Sequence, residues 1–129
     1  MKSGGLFNLY VQVSLPQGWH IYSLENRKNA LRTSIKLNNI PFLTQGEWKE
    51  SPPRITMDRV LQEMVKAHET IAGFTLGLKV PGSMVPGTFL ISGILKYRLC
   101  DNRVCLQPKE LPFQTNIRVV SMGEGAKVQ

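Results

Sequence analysis

The chain has 129 residues, and its 16 Lys and Arg against 9 Asp and Glu give a formal net charge of +7 at pH 7. This length is typical of one domain with a substantial core, and 42% hydrophobic with 19% charged residues excludes a largely disordered chain. No apolar run approaches 18 residues, which excludes a membrane-spanning helix within these residues.

The sequence pattern of the N-terminal third predicts three strands. Apolar and polar residues alternate from residue 7 to 15, which predicts a strand with one buried face formed by Phe7, Leu9, Val11, Val13 and Leu15. A turn at Pro16-Gln17-Gly18 leads to a second strand within residues 19–24, rich in aromatic and β-branched residues. Residues 33–37 are a short third strand.

Residues 58–68 fit two different structures. Their apolar residues recur at helical spacing, and Asp58 is a suitable helix N-cap. A turn followed by a strand over residues 64–70 fits the same segment. The sequence alone leaves both interpretations open.

The C-terminal half predicts three more strands. Residues 74–80 alternate again, residues 88–99 are apolar on both faces as in a central strand, and residues 113–119 alternate once more. Pro-Gly turns at 81–82 and 86–87 bound these strands, and no long helix separates them. This pattern predicts an antiparallel β-sandwich.

Cys100 and Cys105, the two cysteines of the chain, flank the turn-forming pair Asp101-Asn102. The simplest geometry is a hairpin with the sulfurs facing each other, because directly opposed residues there have Cα atoms about 4.5 Å apart. A disulfide closing so short a loop stabilises by only about 2 kcal/mol, less than a bridge between distant strands. The pair is therefore either a redox centre or a structural hairpin clip.

Charges beside the cysteines act in opposite directions. Arg98 and Arg103 would lower a thiol pKa and favour the reactive thiolate, whereas Asp101 would raise it. All three are equally compatible with solvated hairpin charges.

Other chemistries receive less support from the sequence. A zinc site from Cys100, Cys105, His20 and His68 would match no familiar ligand spacing, so we expect no metal. The basic residues are scattered, with Arg27-Lys28 as the one adjacent pair, so we expect no nucleic-acid binding.

Several motifs occur together in a fixed order. They are Gly18-Trp19-His20-Ile21-Tyr22, Thr33-Ser34-Ile35, Pro52-Pro53, the strand 74–81, Pro86-Gly87-Thr88 and the 100–105 cysteine segment followed by Pro108. In this combination the chain resembles the N-terminal periplasmic domains of thiol:disulfide interchange proteins of the DsbD family, over residues 6–120. Residues 1–5 and 121–129 are then expected to be flexible tails.

The resemblance implies an all-β, immunoglobulin-like antiparallel sandwich with a redox-active cysteine hairpin. Such domains carry electrons from the transmembrane part of the same protein to periplasmic thioredoxin-like proteins, which repair wrong disulfides or serve cytochrome c maturation. By position, Cys105 matches the cysteine that forms mixed disulfides, and Cys100 matches its resolving partner. The implied protein is a periplasmic monomer that needs no dissociable cofactor and contacts the transmembrane and C-terminal domains of its own chain.

The resemblance also assigns supporting residues. His20 and Tyr22 match family positions beside the cysteine pair, where Arg103 lies close in sequence. A protonated His20 near Cys105 would stabilise its thiolate. A cap that shields the sulfurs falls within residues 57–64, which contain no Phe or Tyr, so the candidates for this segment are Met57, Asp58, Val60, Leu61 and Met64. The alternative function is a non-enzymatic immunoglobulin-like interaction domain whose hairpin disulfide is structural.

Overall fold

The computed structural model describes residues 4–25, 32–59 and 62–120. These residues form nine strands and no helix, and hence include no helix that could span a membrane. The strands are β1 (Leu6–Ser14), β2 (His20–Tyr22), β3 (Ser34–Leu37), β4 (Leu43–Glu50), β5 (Arg54–Asp58), β6 (Glu63–Glu69), β7 (Ile71–Lys79), β8 (Gly87–Tyr97) and β9 (Lys109–Val119).

Two antiparallel three-stranded sheets, β1-β7-β4 and β3-β8-β9, pack face to face. The buried cluster between them joins Leu9 of β1 and Leu76 and Leu78 of β7 to Ile91 of β8 and Val119 of β9. Each such side chain contributes about 1.5–3 kcal/mol when it is fully buried. The described residues therefore form an antiparallel β-sandwich, as the strand pattern predicts.

The alternation in β1 has the predicted structural meaning. Leu9 is buried opposite Leu76, whereas Asn8 and Tyr10 between the apolar positions are exposed. β8 lies between β3 and β9, so the strand predicted over residues 88–99 is central in its sheet, although it ends at Tyr97.

A third sheet, β2-β6-β5, carries the residues around the cysteines. Its central strand resolves the ambiguity over residues 58–68, because a turn followed by β6 is present and the helix interpretation is wrong. Val65 and Ala67 are buried while Met64 and Lys66 are exposed, so the period is two. The predicted cap residues Val60 and Leu61 lie outside the described residues, as do 1–3 and 121–129 of the predicted tails.

Strands β4 and β5 have no clear signal in the sequence. Both are edge strands, and β4 is exposed along most of its length, so burial imposes little alternation on it. Gly46 interrupts β4 with a φ of +80°, and the pairing with β7 shifts register between Gln45 and Lys49. This bulge removes the period of two that identifies a strand.

Candidate functional site

The cysteine pair closes a short antiparallel ribbon. Cys100 and Cys105 are joined by a disulfide, and their Cα atoms are 4.0 Å apart. Backbone hydrogen bonds flank the pair on both sides, from Asp101 N to Val104 O at 2.9 Å and from Leu106 N to Leu99 O at 2.8 Å. The two cysteines therefore occupy a non-hydrogen-bonded position of the ribbon, the hairpin geometry that their spacing predicts.

The turn of this ribbon is held by Asp101. Its Oδ1 atom accepts hydrogen bonds from the backbone N–H groups of Arg103 and Val104, both at 2.7 Å. These two bonds, more than the nearby Arg103 charge, lower the pKa of the Asp101 carboxyl. Arg103 is exposed in this turn and contributes its backbone N–H to the contact with Asp101.

His20 connects the ribbon to the third sheet. Cys100 and His20 exchange both backbone hydrogen bonds, at 2.9 and 3.0 Å, and His20 pairs on its other side with Glu69 of β6. The row Cys105, Cys100, His20 and Glu69 therefore runs across three chain segments, with its side chains on one face. The position of His20 beside the pair follows from this ladder.

Tyr22 belongs to the buried apolar cluster that contacts the cysteine pair. It packs with Val65, Ala67 and Cys100 in one buried cluster, and Cys105 contacts this cluster from its edge. Cys100 has no exposed surface, whereas Cys105 is half-buried. Cys105 is thus the cysteine that an outside disulfide can reach more easily.

Asp58 approaches the same face from the end of β5. The Tyr22 hydroxyl donates a hydrogen bond to Asp58 Oδ2, and His20 Nε2 lies 3.6 Å from the same oxygen. Asp58 is 3% exposed, so its carboxylate is held inside the protein.

This proximity requires the β5–β6 hairpin to bend. Asp58 pairs with Glu63, and His20 pairs with Glu69, six residues farther along β6. A flat ladder would separate the two rows by about 20 Å, too far for the side chains to bridge. The hairpin tip, defined by the paired residues Asp58 and Glu63, therefore folds back over the face that carries the cysteines.

Burial and the carboxylate together keep Tyr22 protonated. Burial of the phenol, the hydrogen bond to Asp58 and the negative charge of Asp58 raise the pKa of Tyr22 far above its ordinary value. Arg98 acts weakly in the opposite direction. Tyr22 is thus a permanent hydrogen-bond donor to Asp58 and not a proton-transfer group near neutral pH.

The cap candidates that the structure describes lie on both faces of the hairpin. Asp58 lies on the cysteine side, as does Val65 of the opposite strand. Met57 and Met64 pair with each other, are more than half exposed and, by strand alternation, lie on the other face. Of the described cap candidates, the geometry brings Asp58 to the cysteine side.

Arg98 supports the ribbon through a direct contact. Its Nε donates a 2.7 Å hydrogen bond to the carbonyl oxygen of Leu106, the residue after Cys105. The guanidinium therefore bridges the two arms of the ribbon next to the disulfide.

Behind the site, a buried carboxylate anchors the third sheet. Glu50 Oε1 lies 2.6 Å from His68 Nε2, and Glu50 Oε2 accepts a 2.6 Å hydrogen bond from Ser23 Oγ. Leu24 N donates a further bond of 3.2 Å to Glu50 Oε1. Glu50 at the end of β4 thereby holds both β2 and β6 in place.

The ionisation of Glu50 follows from these contacts. Burial acts to raise the pKa of Glu50, but the hydrogen bonds from His68, Ser23 and Leu24 favour the charged form and outweigh it. The net pKa of Glu50 is lower than its ordinary value.

His68 is directed away from the cysteines. It pairs with Ile21, which belongs to the core, and its ring contacts Phe74 edge-on at 5.9 Å. The zinc ligand set considered from the sequence is thus not assembled. Within residues 4–25, 32–59 and 62–120, no three His, Cys, Asp or Glu side chains are grouped so that they could hold a metal.

Sequence reasoning missed the Glu50 anchor and the partners of Asp58. Alternation in β6 is the signal that could have identified Val65 and Ala67 as neighbours of the site, once the strand interpretation is chosen. No sequence pattern links Asp58 to Tyr22 or Glu50 to His68, because 36 and 18 residues separate them.

Comparison with known proteins bears on the fold. No protein-family model matches the sequence, and no curated protein matches it. Among solved structures, the N-terminal domain of DsbD from Neisseria meningitidis in its reduced form matches with a TM-score of 0.56 and 15% sequence identity. The match covers 84% of this chain and 79% of that one. The chain is thus similar in its immunoglobulin-like fold to a DsbD N-terminal domain, as the sequence resemblance implies.

Proposed function

We propose that the domain is a thiol–disulfide relay in which Cys100 and Cys105 are the redox centre. The observation that carries this proposal is the disulfide at the neck of a ribbon, with one cysteine buried and the other half-buried. The similarity in fold to a DsbD N-terminal domain supports the same function.

In the proposed cycle, an upstream dithiol reduces the Cys100–Cys105 bond. The Cys105 thiolate then attacks a partner disulfide, so that a Cys105–partner sulfur bond forms and the partner's own bond breaks. The released partner thiolate takes up a proton. Cys100, as a thiolate, next attacks the sulfur of Cys105, which restores the internal disulfide and releases the second partner thiol. Two electrons and two protons pass to the partner.

The proposed partners follow from the resemblance to DsbD domains. The upstream dithiol is the membrane-embedded reductase part of the same protein, and the acceptors are periplasmic thioredoxin-like proteins, including those serving cytochrome c maturation. The domain would then work in the periplasm as a monomer, with the cysteines in place of a dissociable cofactor.

The proposal is tested by titrating the cysteine pair in glutathione redox buffers and by trapping. We expect the pair to titrate between oxidised and reduced forms within the range of these buffers. In a Cys100→Ala variant, Cys105 should form a mixed disulfide with an oxidised thioredoxin-like protein, and that adduct should persist because the resolving thiol is absent. A Cys105→Ala variant is the control and should trap far less.

A structural clip is the second candidate function, and one observation favours it. Cys100 is fully buried against Tyr22, Val65 and Ala67, as expected for an inert half-cystine. A clip in a non-enzymatic interaction domain would have a reduction potential too low for glutathione buffers to titrate, and the Cys100→Ala variant would trap nothing.

A further inference from the structure

A cleft opens beside the cysteine ribbon, on the side away from Asp58. Its volume is about 570 Å³, within the roughly 300–1,000 Å³ that is typical of ligand sites. Three segments form its walls: the turn between β1 and β2 with Gln17 and Trp19, the β6–β7 junction with Glu69 and Thr70, and Asn102 from the cysteine ribbon.

The ladder fixes the position of this cleft relative to the disulfide. His20 also lines the cleft and is paired with Cys100, while Asn102 follows Cys100 by two residues, or at most about 7 Å of chain. Tyr22 lies on one side of this row, under the folded tip of the β5–β6 hairpin. The cleft lies on the other side of the row, which is the side of the cysteine pair that the hairpin does not cover.

The lining of the cleft suits an uncharged polypeptide. Gln17 and Asn102 supply side-chain amides, which both donate and accept hydrogen bonds as backbone groups require, and Trp19 adds an apolar surface. Glu69 is the one carboxylate in the lining, and Arg54 lies 3.2 Å from it. Glu69 is thus paired with a cation, and His20 is the other titratable side chain of the lining, so the cleft contains no cluster of like charges that would favour a strongly charged ligand.

Backbone geometry at two lining positions gives the cleft its shape. Gly18 has a φ of +84°, which lets the turn place Trp19 at the cleft, with Trp19 N bonded to Pro16 O at 3.1 Å. Thr70 has a φ of +67°, an unfavourable value for a β-branched residue, and its carbonyl accepts a 2.7 Å bond from Leu15 N. Thr70 is the single residue between β6 and β7, and strained residues of this kind also cluster at active sites and ligand clamps.

We propose that this cleft is the subsite for the uncharged stretch of polypeptide that flanks the reacting cysteine of a disulfide partner. The proposal rests on the relay function, because it assigns the substrate of that same site. A partner chain lying in the cleft is held with its sulfur beside the ribbon, so that attack by Cys105 becomes nearly unimolecular. Small disulfides lack this flanking chain and react without that advantage.

The test compares two uncharged disulfides as substrates of the reduced protein. One is the disulfide of N-acetylcysteine amide. The other is the symmetrical disulfide of a blocked nonapeptide with a central cysteine among leucine, alanine and serine. The readout is the ratio of the two second-order rate constants. We expect the wild-type ratio to favour the peptide at least tenfold, and the ratio to fall at least fivefold in Gln17→Trp, which fills the cleft.

Gln114→Trp on β9, in another sheet, is the matched control and should leave the ratio unchanged. Nonapeptides carrying lysines or glutamates in place of leucine and serine should lose most of their advantage over the small disulfide. A wild-type protein that reduces both substrates with a ratio near one overturns the cleft assignment, as does a Gln17→Trp variant with the wild-type ratio. A wild-type protein that reduces neither substrate refutes the relay function itself.

Discussion

The hydroxyl of Tyr22 donates a hydrogen bond to the carboxylate of Asp58, and this contact joins the strand beside the cysteines to the folded tip of the β5–β6 hairpin. Both residues are almost completely buried. Because a buried carboxylate is costly without partners, the contact stabilises the folded-back position of the hairpin.

Replacing Tyr22 with Phe removes this donor and leaves the ring. We expect the free energy of unfolding to fall by about 1.5–3 kcal/mol, because the lost bond is to a charged group. In the reduced protein, alkylation of Cys105 should also become faster, since the hairpin tip is held less firmly. Urea unfolding and iodoacetamide kinetics measure the two effects.

Tyr10→Phe serves as the control for that experiment. Tyr10 is 57% exposed on β1, so its replacement should change the free energy of unfolding by less than about 0.5 kcal/mol. Equal losses of stability in the two variants would contradict the importance of the Tyr22–Asp58 contact.

His20 provides a test of thiol activation. Its imidazole Nε2 lies 3.6 Å from Asp58 Oδ2, and its backbone is paired with Cys100. In a Cys100→Ala background, His20→Phe should raise the apparent pKa of the Cys105 thiol and slow its alkylation at pH 7 about threefold. The measurement is the pH profile of iodoacetamide alkylation.

His20→Gln separates charge from packing in the same assay. It keeps polarity and approximate size but carries no positive charge, so its profile should match that of His20→Phe. A pH profile in His20→Phe identical to that of the parent would remove His20 from the chemistry.

Glu50 should give the protein an acid-sensitive component of stability. The pKa of Glu50 is lower in the folded protein than in the unfolded protein. The stabilisation from this difference is therefore fully present above the unfolded-state pKa of about 4.3, and it is lost as the pH falls through the folded-state pKa. Glu50→Gln should cost about 1–3 kcal/mol at pH 7, and the difference from wild type should shrink below about pH 4. Urea unfolding between pH 3 and 7 checks both statements.

Glu110→Gln is the matched surface control. Glu110 lies 3.4 Å from Lys96, and both side chains are largely exposed, so this pair should contribute no more than about 1 kcal/mol. A difference between Glu50→Gln and wild type that stays constant down to pH 3 would contradict the proposed ionisation of Glu50.

Reduction of the disulfide should leave the domain folded. The loop between Cys100 and Cys105 is short, so its closure contributes about 2 kcal/mol in the chain-entropy model. The two larger core clusters contain neither cysteine. We expect the free energies of unfolding measured in urea with and without dithiothreitol to differ by about this amount. Complete unfolding on reduction would exclude a relay, because a relay must be stable in both redox states.

Strand prediction succeeded where burial imposes a pattern. In β1 and β7 one face packs into the core, and the period of two is therefore visible in the sequence. In β4 most side chains are exposed and a bulge interrupts the strand, so packing does not require apolar and polar residues to alternate there. The segment around Asp58 is ambiguous for a related reason: a short apolar run fits either period until its neighbours are known.

The sequence by itself determined the all-β class, most of the strands and the opposed cysteines, because local turns and alternation encode these features within a few residues. Only the tertiary structure decided that Asp58 lies against Tyr22 and His20, that Glu50 anchors His68, and that a cleft flanks the ribbon. These contacts join residues far apart in the chain through the bend of one hairpin and the packing of three sheets. Contacts of that kind leave no periodic trace in a single sequence.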